Sequence, residues 1–220
     1  MRQMKNTERG DSDERQKKET DGTAAFGMKR EDIDRIFANP PEIRTERLFL
    51  RKMKKSDYRD MYEYAKNPEV TRYLTWEPHP NEDYTYRYLD YIVSRYKAGE
   101  FYDWAVVFAR ERKMIGTCGF TRFDVANNSG EIGYVLNPSY WGCGIAPEAV
   151  LAVMRFGFLK LNLHRIEARF MEGNDRSRRV MEKCGMTFEG FKRSSLFVKS
   201  SYKTIGTCAV LSEEFIRRQL

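Results

Sequence analysis

The residues whose types and spacing best suit chemistry lie between Glu131 and Val150, which read E-I-G-Y-V-L-N-P-S-Y-W-G-C-G-I-A-P-E-A-V. The beginning of this stretch predicts a short buried strand, Gly142–Gly144 a loop of small residues, and the segment from Ile145 a helix. The first amides of a helix have no partner within the helix, so they point towards whatever lies on its axis. Glycines let the backbone approach such a ligand closely because they have no Cβ atom. The stretch therefore predicts an anion-binding site.

The spacing of these glycines differs from the nucleotide-binding loops G-x-x-x-x-G-K-[ST] and G-x-G-x-x-G. It resembles instead the acyl-CoA pyrophosphate loop of the GCN5-related N-acetyltransferases (GNAT), [Q/R]-x-x-G-x-[G/A], with Gly144 and Ala146 at the two small positions. Trp141 occupies the Gln/Arg position, where it departs from that pattern. The form Y-W-G-x-G-x-A is similar to the branch that modifies ribosomal protein N-termini and polyamines. A strand–turn–helix with packing glycines explains the loop alone equally well.

Further segments resemble the same family, in the family's order along the chain. They are I-R-T-E-R-L-F-L-R at 43–51, G-E-I-G-Y-V-L at 130–136, L-H-R-I-E-A-R at 163–169 and N-D-R-S-R-R-V-M-E-K-C-G-M at 174–186. By this resemblance the chain is identified as a member of the family. The resemblance implies transfer of an acetyl group from acetyl-CoA directly to a primary amine, without a covalent enzyme intermediate.

Three residues are candidates for proton transfer. Glu131 begins the strand that the substrate would approach, and we predict that it is the general base, directly or through water. The alternative is a structural carboxylate at a strand edge. Ser177 matches the family position that protonates or positions the CoA thiolate, and the alternative is a hydroxyl that caps its own helix. Tyr134 is a further candidate for the acid.

Main-chain groups around the loop are predicted to hold the cofactor. The Leu136 main chain would pair with the pantetheine arm as an added strand does. In this family an amide at the splay between strands four and five stabilises the oxyanion, so Val135 or Leu136 is the candidate. The amides expected to bind the pyrophosphate are those of Cys143, Gly144, Ile145 and Ala146.

Side chains near residue 174 complete the predicted cofactor site. Asn174 matches the family position that hydrogen-bonds the pantetheine region. Arg179, with Arg178 and Lys183, would meet the ribose 3′-phosphate of CoA. The alternative for these three cations is a solvated helix face.

The composition excludes other classes of protein. The 220-residue chain has 39 Lys+Arg against 32 Asp+Glu, a net charge of +7, which suits an acidic partner without choosing one. No basic cluster alternates with exposed aromatic residues, so we expect no direct nucleic-acid binding. The four cysteines are too far apart to indicate a metal site or a disulfide framework. With no secretory signal and no long apolar run, we expect a cytoplasmic monomer or homodimer that does not bind membranes.

The elements that position these residues are predicted in the order strand, two helices, three antiparallel strands, helix, strand, helix, two strands. This is the order of the GNAT fold, a mixed α/β class. Its mostly antiparallel, twisted sheet has about seven strands and splays between strands four and five, with about four helices. Ser56 is the predicted N-cap of the first helix. In the second helix, a stripe that includes Tyr84 and Tyr88 is predicted to face the core.

Three regions are predicted along the chain. Residues 1–30 are charged and poor in apolar side chains, which predicts a disordered tail. Residues 31–42 form a short docking segment, because Ile33, Ile36 and Phe37 have helical spacing. Residues 43–220 form the acetyltransferase domain.

The acceptor amine is left open by the sequence. The leading prediction is the N-terminal amine of a ribosomal or other protein. One alternative is a small amine such as a polyamine or an aminoglycoside. Another is a non-catalytic module that binds CoA or a partner. His79 lies in an irregular loop that shapes the acceptor pocket in relatives, although an exposed histidine is the alternative. The carboxylates predicted to attract a polyamine are those of Glu77, Glu82, Asp83 and Glu131.

Overall fold

A computed structural model of the protein describes residues 27–218. The predicted disordered tail lies almost wholly outside these residues. Within them, the chain forms an eight-stranded sheet and seven α-helices. The strands are β1 (Ile43–Arg44), β2 (Leu48–Arg51), β3 (Tyr102–Phe108), β4 (Lys113–Asp124), β5 (Ser129–Leu136), β6 (Arg165–Met171), β7 (Thr187–Val198) and β8 (Ser201–Leu211). The helices are α1 (Arg30–Ala38), α2 (Tyr58–Ala65), α3 (Pro68–Thr71), α4 (Glu82–Lys97), α5 (Ile145–Leu159), α6 (Asp175–Lys183) and α7 (Ser212–Arg217).

The sheet has the strand order β1-β2-β3-β4-β5-β6-β8-β7 and one parallel pair, β5 with β6. That pair is in register from Ser129 opposite Arg165 to Ile132 opposite Ala168. Beyond Ile132 the register ends, while β5 continues to Leu136. The two strands therefore diverge, which confirms the predicted splay between the fourth and fifth strands of the family fold.

Helices cover both faces of the sheet because side chains alternate across each strand. On one face, Trp104, Phe120 and Ile132 pack in the larger core with α5. On the other face, Ala105 and Val107 pack in the second core with α2 and α4. The splay opens between these two layers, so a ligand there contacts both.

Helix α1 is packed against the larger core. Ile33 and Phe37 are buried on the inner face of this helix. The Phe37 ring lies 5.0 Å from Tyr102 and 5.2 Å from Trp104, both in edge-to-face geometry. The segment predicted to dock therefore contributes core side chains, whereas the predicted domain boundaries stay a prediction.

Several local predictions differ from the structure. The sheet has one more strand than predicted because the two-residue strand β1, which pairs antiparallel with β2, was not predicted, and neither were the short helices α3 and α7. Ser56 does not cap α2, because a 3₁₀ turn over Lys55–Asp57 precedes that helix and Asp57 accepts the Lys54 N–H at 2.7 Å. Tyr84 and Tyr88 are exposed, not core residues. The buried residues of α4 are Thr85, Leu89, Ile92 and Tyr96.

No helix within residues 27–218 is both long enough and apolar enough to cross a membrane.

Candidate active site

A cavity of about 1350 Å³ opens at the splay and extends between the two helical layers. Its walls come from α2, α4 and the loop between them on one side, and from the loop before α5 and from α6 on the other. All but one of the predicted site residues line it. They are Glu131, Tyr134, Val135, Leu136, Gly144, Ile145, Ala146, Asn174, Ser177 and Arg179.

Cys143 is the predicted site residue that is not part of the cavity wall. Its side chain is exposed and its carbonyl oxygen accepts the Arg47 Nη1–H at 2.9 Å. The prediction for Cys143 concerned its main-chain amide and not its thiol. Binding of the pyrophosphate by the Cys143 amide therefore stays a prediction.

The loop before α5 has the backbone geometry of an anion cradle. Gly142 and Gly144 have φ values of 77° and 75°, the left-handed region that glycine adopts without strain. Within α5 the Glu148 N–H bonds to the Gly144 carbonyl at 3.3 Å, so the amides before it precede the helical ladder. Residues 142–144 are exposed beside the cavity. These features fit a pyrophosphate group.

Arg47, in the turn just before β2, braces this loop. Its Nε and Nη2 atoms lie 2.7 and 2.6 Å from the Glu148 carboxylate in the first turn of α5. The same carboxylate accepts the Thr45 hydroxyl at 2.5 Å. Burial raises the pKa of Glu148, but the hydrogen bonds from Thr45 and Arg47 outweigh it and hold the pKa below its ordinary value. Glu148 is therefore a fixed charge that connects the loop to the sheet.

The cations of α6 are of two kinds. Arg179 and Lys183 line the cavity. Arg178 instead bonds to Glu182 at 2.8 Å and stacks on Phe188, with its guanidinium carbon 4.5 Å from the ring centre. Arg179 and Lys183 are therefore better placed than Arg178 to contact the 3′-phosphate of CoA, the role predicted for all three.

Asn174 caps α6. Its Oδ1 atom accepts the Ser177 N–H at 3.3 Å, which is a typical N-cap bond. The bond fixes the rotamer of Asn174 on the cavity wall. The Nδ2 group is then the part of the side chain suited to an external acceptor.

The open edge of β5 carries main-chain donors. The Asn137 N–H bonds to the Ile115 carbonyl of β4 at 2.7 Å. In an antiparallel ladder the pairing alternates, so the Val135 N–H points to β4 and the Leu136 N–H to the splay. Trp141 occupies the neighbouring acceptor, since its Nε1–H bonds to the Leu136 carbonyl at 2.8 Å. Of the two predicted oxyanion donors, Leu136 has the better orientation.

Glu131 lies on the cavity wall, but its carboxylate is held by arginines. The side chain is 8% exposed, and Oε2 lies 2.8 Å from the Nε atoms of both Arg122 and Arg169. Both guanidinium groups therefore occupy the same carboxylate oxygen and hold the side chain in one orientation. This geometry argues against Glu131 as a direct base.

Tyr134 of β5 is hydrogen-bonded to Ser177 of α6. The Tyr134 hydroxyl lies 2.9 Å from Ser177 Oγ and donates to the Ser177 carbonyl oxygen at 3.0 Å. Burial raises the pKa of Tyr134, and the hydrogen bond with Ser177 lowers it in part. The two predicted acid candidates therefore form one hydrogen-bonded unit.

His79 is buried, which corrects the alternative of an exposed loop histidine. Its Nδ1 atom is 2.9 Å from the Thr85 hydroxyl, and its ring lies 4.9 Å from Tyr84 and 5.5 Å from Tyr88. Burial lowers the pKa of His79, so the ring is neutral at pH 7. It lines the cavity with these tyrosines and Trp76, which we call the acceptor side after the sequence-based prediction for this loop.

Two further cavity residues, Asp103 and Tyr64, were not predicted from the sequence. Asp103 is a charged residue inside the otherwise apolar strand F-Y-D-W-A-V-V-F, which is the signal that could have identified it. Tyr64 has no such signal, because it reads as an ordinary core residue of α2.

Comparisons with known proteins give the family and the range of its substrates. The profile of the family described as Acetyltransferase (GNAT) domain matches residues 47–187. The chain is 32% identical to the uncharacterized N-acetyltransferase p20 of Bacillus licheniformis over 171 residues, which cover 78% of this chain and 96% of that protein. Two relatives from Escherichia coli have named substrates. The [ribosomal protein uS5]-alanine N-acetyltransferase is 27% identical, covering 76% of this chain and 89% of that protein. The spermidine N(1)-acetyltransferase is 21% identical, covering 76% and 87%.

Solved structures have the same fold. A GNAT-family acetyltransferase from Bacillus anthracis superposes with a TM-score of 0.70 and 29% identity, covering 79% of this chain and 99% of that one. The ribosomal L7/L12 acetyltransferase RimL, solved with coenzyme A, superposes with a TM-score of 0.67 and 21% identity, covering 78% and 98%.

Proposed function

Because the chain belongs to the GNAT acetyltransferase family and is an acetyl-CoA-dependent N-acetyltransferase, we propose that its acceptor is a primary amine of a protein N-terminus. The observation that carries the reaction is the cavity at the splay, with an exposed glycine loop at one end and titratable side chains along its walls. The relative with 27% identity that acts on a ribosomal protein supports a protein N-terminus as the first candidate.

The loop and α6 hold acetyl-CoA in this proposal. The amides of the segment 143–146 bind the pyrophosphate, and the positive end of α5 adds to their attraction. Arg179 meets the 3′-phosphate, and Asn174 with the open edge of β5 holds the pantetheine arm. When bound, acetyl-CoA supplies an acetyl thioester.

The remaining residues act on charge and protons. The Leu136 N–H stabilises negative charge on the acetyl oxygen. Tyr134, supported by Ser177, donates a proton to the departing sulfur. Glu131 removes a proton from the amine through water, because two arginines already occupy its Oε2 atom.

A small cationic amine is the second candidate acceptor. The Asp103 carboxyl and the aromatic rings of the acceptor side favour it, and one relative is named for spermidine. Independently of the acceptor, we propose the predicted cytoplasmic location, which is supported by four cysteines that are all free thiols. The predicted monomer or homodimer is likewise retained.

The test is release of CoA with a panel of N-terminal peptides, polyamines and aminoglycosides. Turnover with a ribosomal-protein N-terminal peptide at the highest kcat/KM supports the first candidate, and a preference for polyamines supports the second. Binding of acetyl-CoA without turnover on any amine would contradict the catalytic function and favour a non-catalytic module.

A further inference from the structure

One carboxylate of the cavity, Asp103 on β3, has no part in the proposed chemistry. Its Oδ1 atom accepts the Trp104 N–H at 3.0 Å, and the carboxyl also bonds to the Thr117 side chain. Both partners are neutral. Three other carboxylates of the wall each face a cation, in the pairs Glu131–Arg169, Glu69–Arg176 and Glu77–Lys199, and a fourth, Asp175, lies in the first turn of α6. Asp103 is thus suited to a cation that arrives with a ligand.

The Tyr64 hydroxyl is a second, independent sign of a ligand. Among residues 27–218 it is the buried side-chain polar atom that has no hydrogen-bond partner, and the residue is only 2% exposed. Tyr64 lines the same cavity, and its hydroxyl interacts electrostatically with Tyr88 and Asp103. A buried hydroxyl without a partner is unfavourable, so a ligand N–H that donates to it would be stabilised.

Aromatic rings surround the approach to this pair. Trp76 lies 5.4 Å from His79, which in turn contacts Tyr84 and Tyr88. The faces of such rings attract cations and exclude anions. With one unpaired carboxyl beyond them, the rings favour an ammonium or guanidinium group.

A row of glycines connects Asp103 with the splay. In the sheet register Asp103 lies opposite Gly119, and Gly119 opposite Gly133 of β5. Added Cβ atoms at these glycines would lie 2.8 Å from Asp103 Oδ1 and 2.7 Å from Thr121 Cγ2. The space beside the two glycines is thus taken by Asp103 and by the Thr121 methyl group, and the cavity wall between Asp103 and the splay is formed by small groups, including Thr121 and Gly133.

We propose that Asp103 and Tyr64 bind a second, non-reacting cationic nitrogen of the acceptor, about 10 Å from the reacting amine, since two strand spacings separate β3 from β5. This inference rests on the proposed function and narrows its substrate class. The second nitrogen belongs either to a free linear diamine or to a Lys or Arg side chain beside a peptide's N-terminal amine.

The experiment compares acceptors that differ only in this nitrogen. Linear diamines are measured against monoamines of equal chain length, and N-terminal peptides with Lys at the second position against the same peptides with norleucine. We expect kcat/KM to be about tenfold or more higher for the dicationic member, from one charge-assisted interaction. The pair with the larger ratio identifies the source of the nitrogen.

Variants assign the preference to the two residues. Asp103→Asn and Tyr64→Phe should reduce the ratio towards one while leaving the monoamine rate within about threefold. Glu69→Gln, at a cavity-wall carboxylate paired with Arg176, is the matched control and should keep the ratio. Calorimetry without acetyl-CoA should show the diamine binding the wild type and losing about tenfold in Asp103→Asn. This binding readout also applies if a variant is inactive.

Two outcomes separate the inference from the proposed function. Equal kcat/KM values for monoamines and diamines, unchanged by Asp103→Asn, would overturn the second-nitrogen site while the enzyme remains an acetyltransferase. No turnover with any amine would instead contradict the proposed function.

Discussion

The hydroxyl of Tyr134 lies 2.9 Å from Ser177 Oγ and 3.0 Å from the carbonyl oxygen of the same serine. In the empty cavity the tyrosine proton goes to the carbonyl, and when that proton turns to the departing sulfur the serine hydroxyl can donate to the tyrosine oxygen. Such a donor stabilises the oxygen after it has given up its own proton. The resemblance implies that Ser177 acts on the thiolate, whereas we propose from this geometry that Tyr134 is the acid and Ser177 its support.

We expect Tyr134→Phe to lower kcat by about 10²-fold, the range for loss of a general acid. Ser177→Ala should lower kcat by less, and the double variant should match Tyr134→Phe, because the two residues act as a unit. The measurement is steady-state kinetics at saturating acetyl-CoA, with its Kd measured separately. If the loss of kcat in the double variant equalled the product of the two single losses, Tyr134 and Ser177 would act independently, which would contradict this prediction.

Glu131→Gln should lower kcat by at least about tenfold with little change in the Kd of acetyl-CoA, if Glu131 accepts a proton through water. Glu167→Gln is the matched control. Glu167 bonds to Arg122 at 2.9 Å and to Arg165 at 3.2 Å in the same ionic network, but it does not line the cavity. Equal losses in both variants would show that Glu131 serves only the network.

Arg179→Ala should raise the KM of acetyl-CoA by about tenfold without lowering kcat, because it removes a cation that faces the cofactor. Arg178→Ala on the same helix is the control, since that guanidinium is engaged by Glu182 and Phe188. A donor lacking the 3′-phosphate should bind both the wild type and Arg179→Ala with similar affinity. A persistent difference between them would exclude the 3′-phosphate as the partner.

Parts of this site could be predicted because they are local in sequence. The start of α5 at Ile145 follows from a short-range pattern, and the structure has it at that position. The partners of Glu131 could not be predicted, because Arg122 and Arg169 lie on neighbouring strands whose register a single sequence does not state. The exposed position of two tyrosines of α4 was missed for another reason. Tyr84 and Tyr88 have the spacing of a core stripe, yet the buried face of α4 lies around Leu89.

The brace of Arg47 on Glu148 should contribute to stability in a pH-dependent way. The pKa of Glu148 is lower in the folded protein than its ordinary value of 4.5, so this contribution is present above pH 4.5 and is lost as pH falls through the folded pKa. Arg47→Ala should cost about 1 kcal/mol at pH 7, since the pair is partly exposed. Urea unfolding at pH 7 and below pH 4 measures both effects.

Arg87→Ala is the control for that experiment, because its pair with Asp83 is largely exposed on α4. We expect a change within about 0.5 kcal/mol. A loss as large as that of Arg47→Ala would mean that the brace has no special role. The Kd of acetyl-CoA should rise only in Arg47→Ala.

Asp103 should make the empty protein less stable as pH rises. Burial raises the pKa of Asp103 from 3.8 to about 7, although bonds from Thr117 and the Trp104 N–H lower it in part. The folded state therefore binds this proton more tightly than the unfolded state. Its stabilising effect is complete below pH 3.8 and is lost as pH rises through about 7. In thermal unfolding, the melting temperature of Asp103→Asn relative to that of the wild type should therefore increase as pH rises from 3.8 to about 7.

The same titration should control the affinity for a dicationic acceptor. Below pH 7 the Asp103 carboxyl is neutral in the empty cavity, so a cation must displace its proton in order to bind. Groups facing it from α2, α4 and β4 do not titrate in this range. Burial raises the pKa of Tyr88 to about 12 and those of Tyr64, Tyr96 and Cys118 further above their ordinary values.

We therefore expect the KM of a linear diamine to rise about tenfold for each pH unit below 7, relative to the monoamine of equal length. The ratio removes the protonation of the reacting amine, which both acceptors share. His79 is the neighbouring group that gains charge on acidification, and burial lowers its pKa from 6.5. His79→Asn should keep the slope near pH 7, whereas Asp103→Asn should abolish it. A slope retained in Asp103→Asn would assign the titration to another group of the cavity.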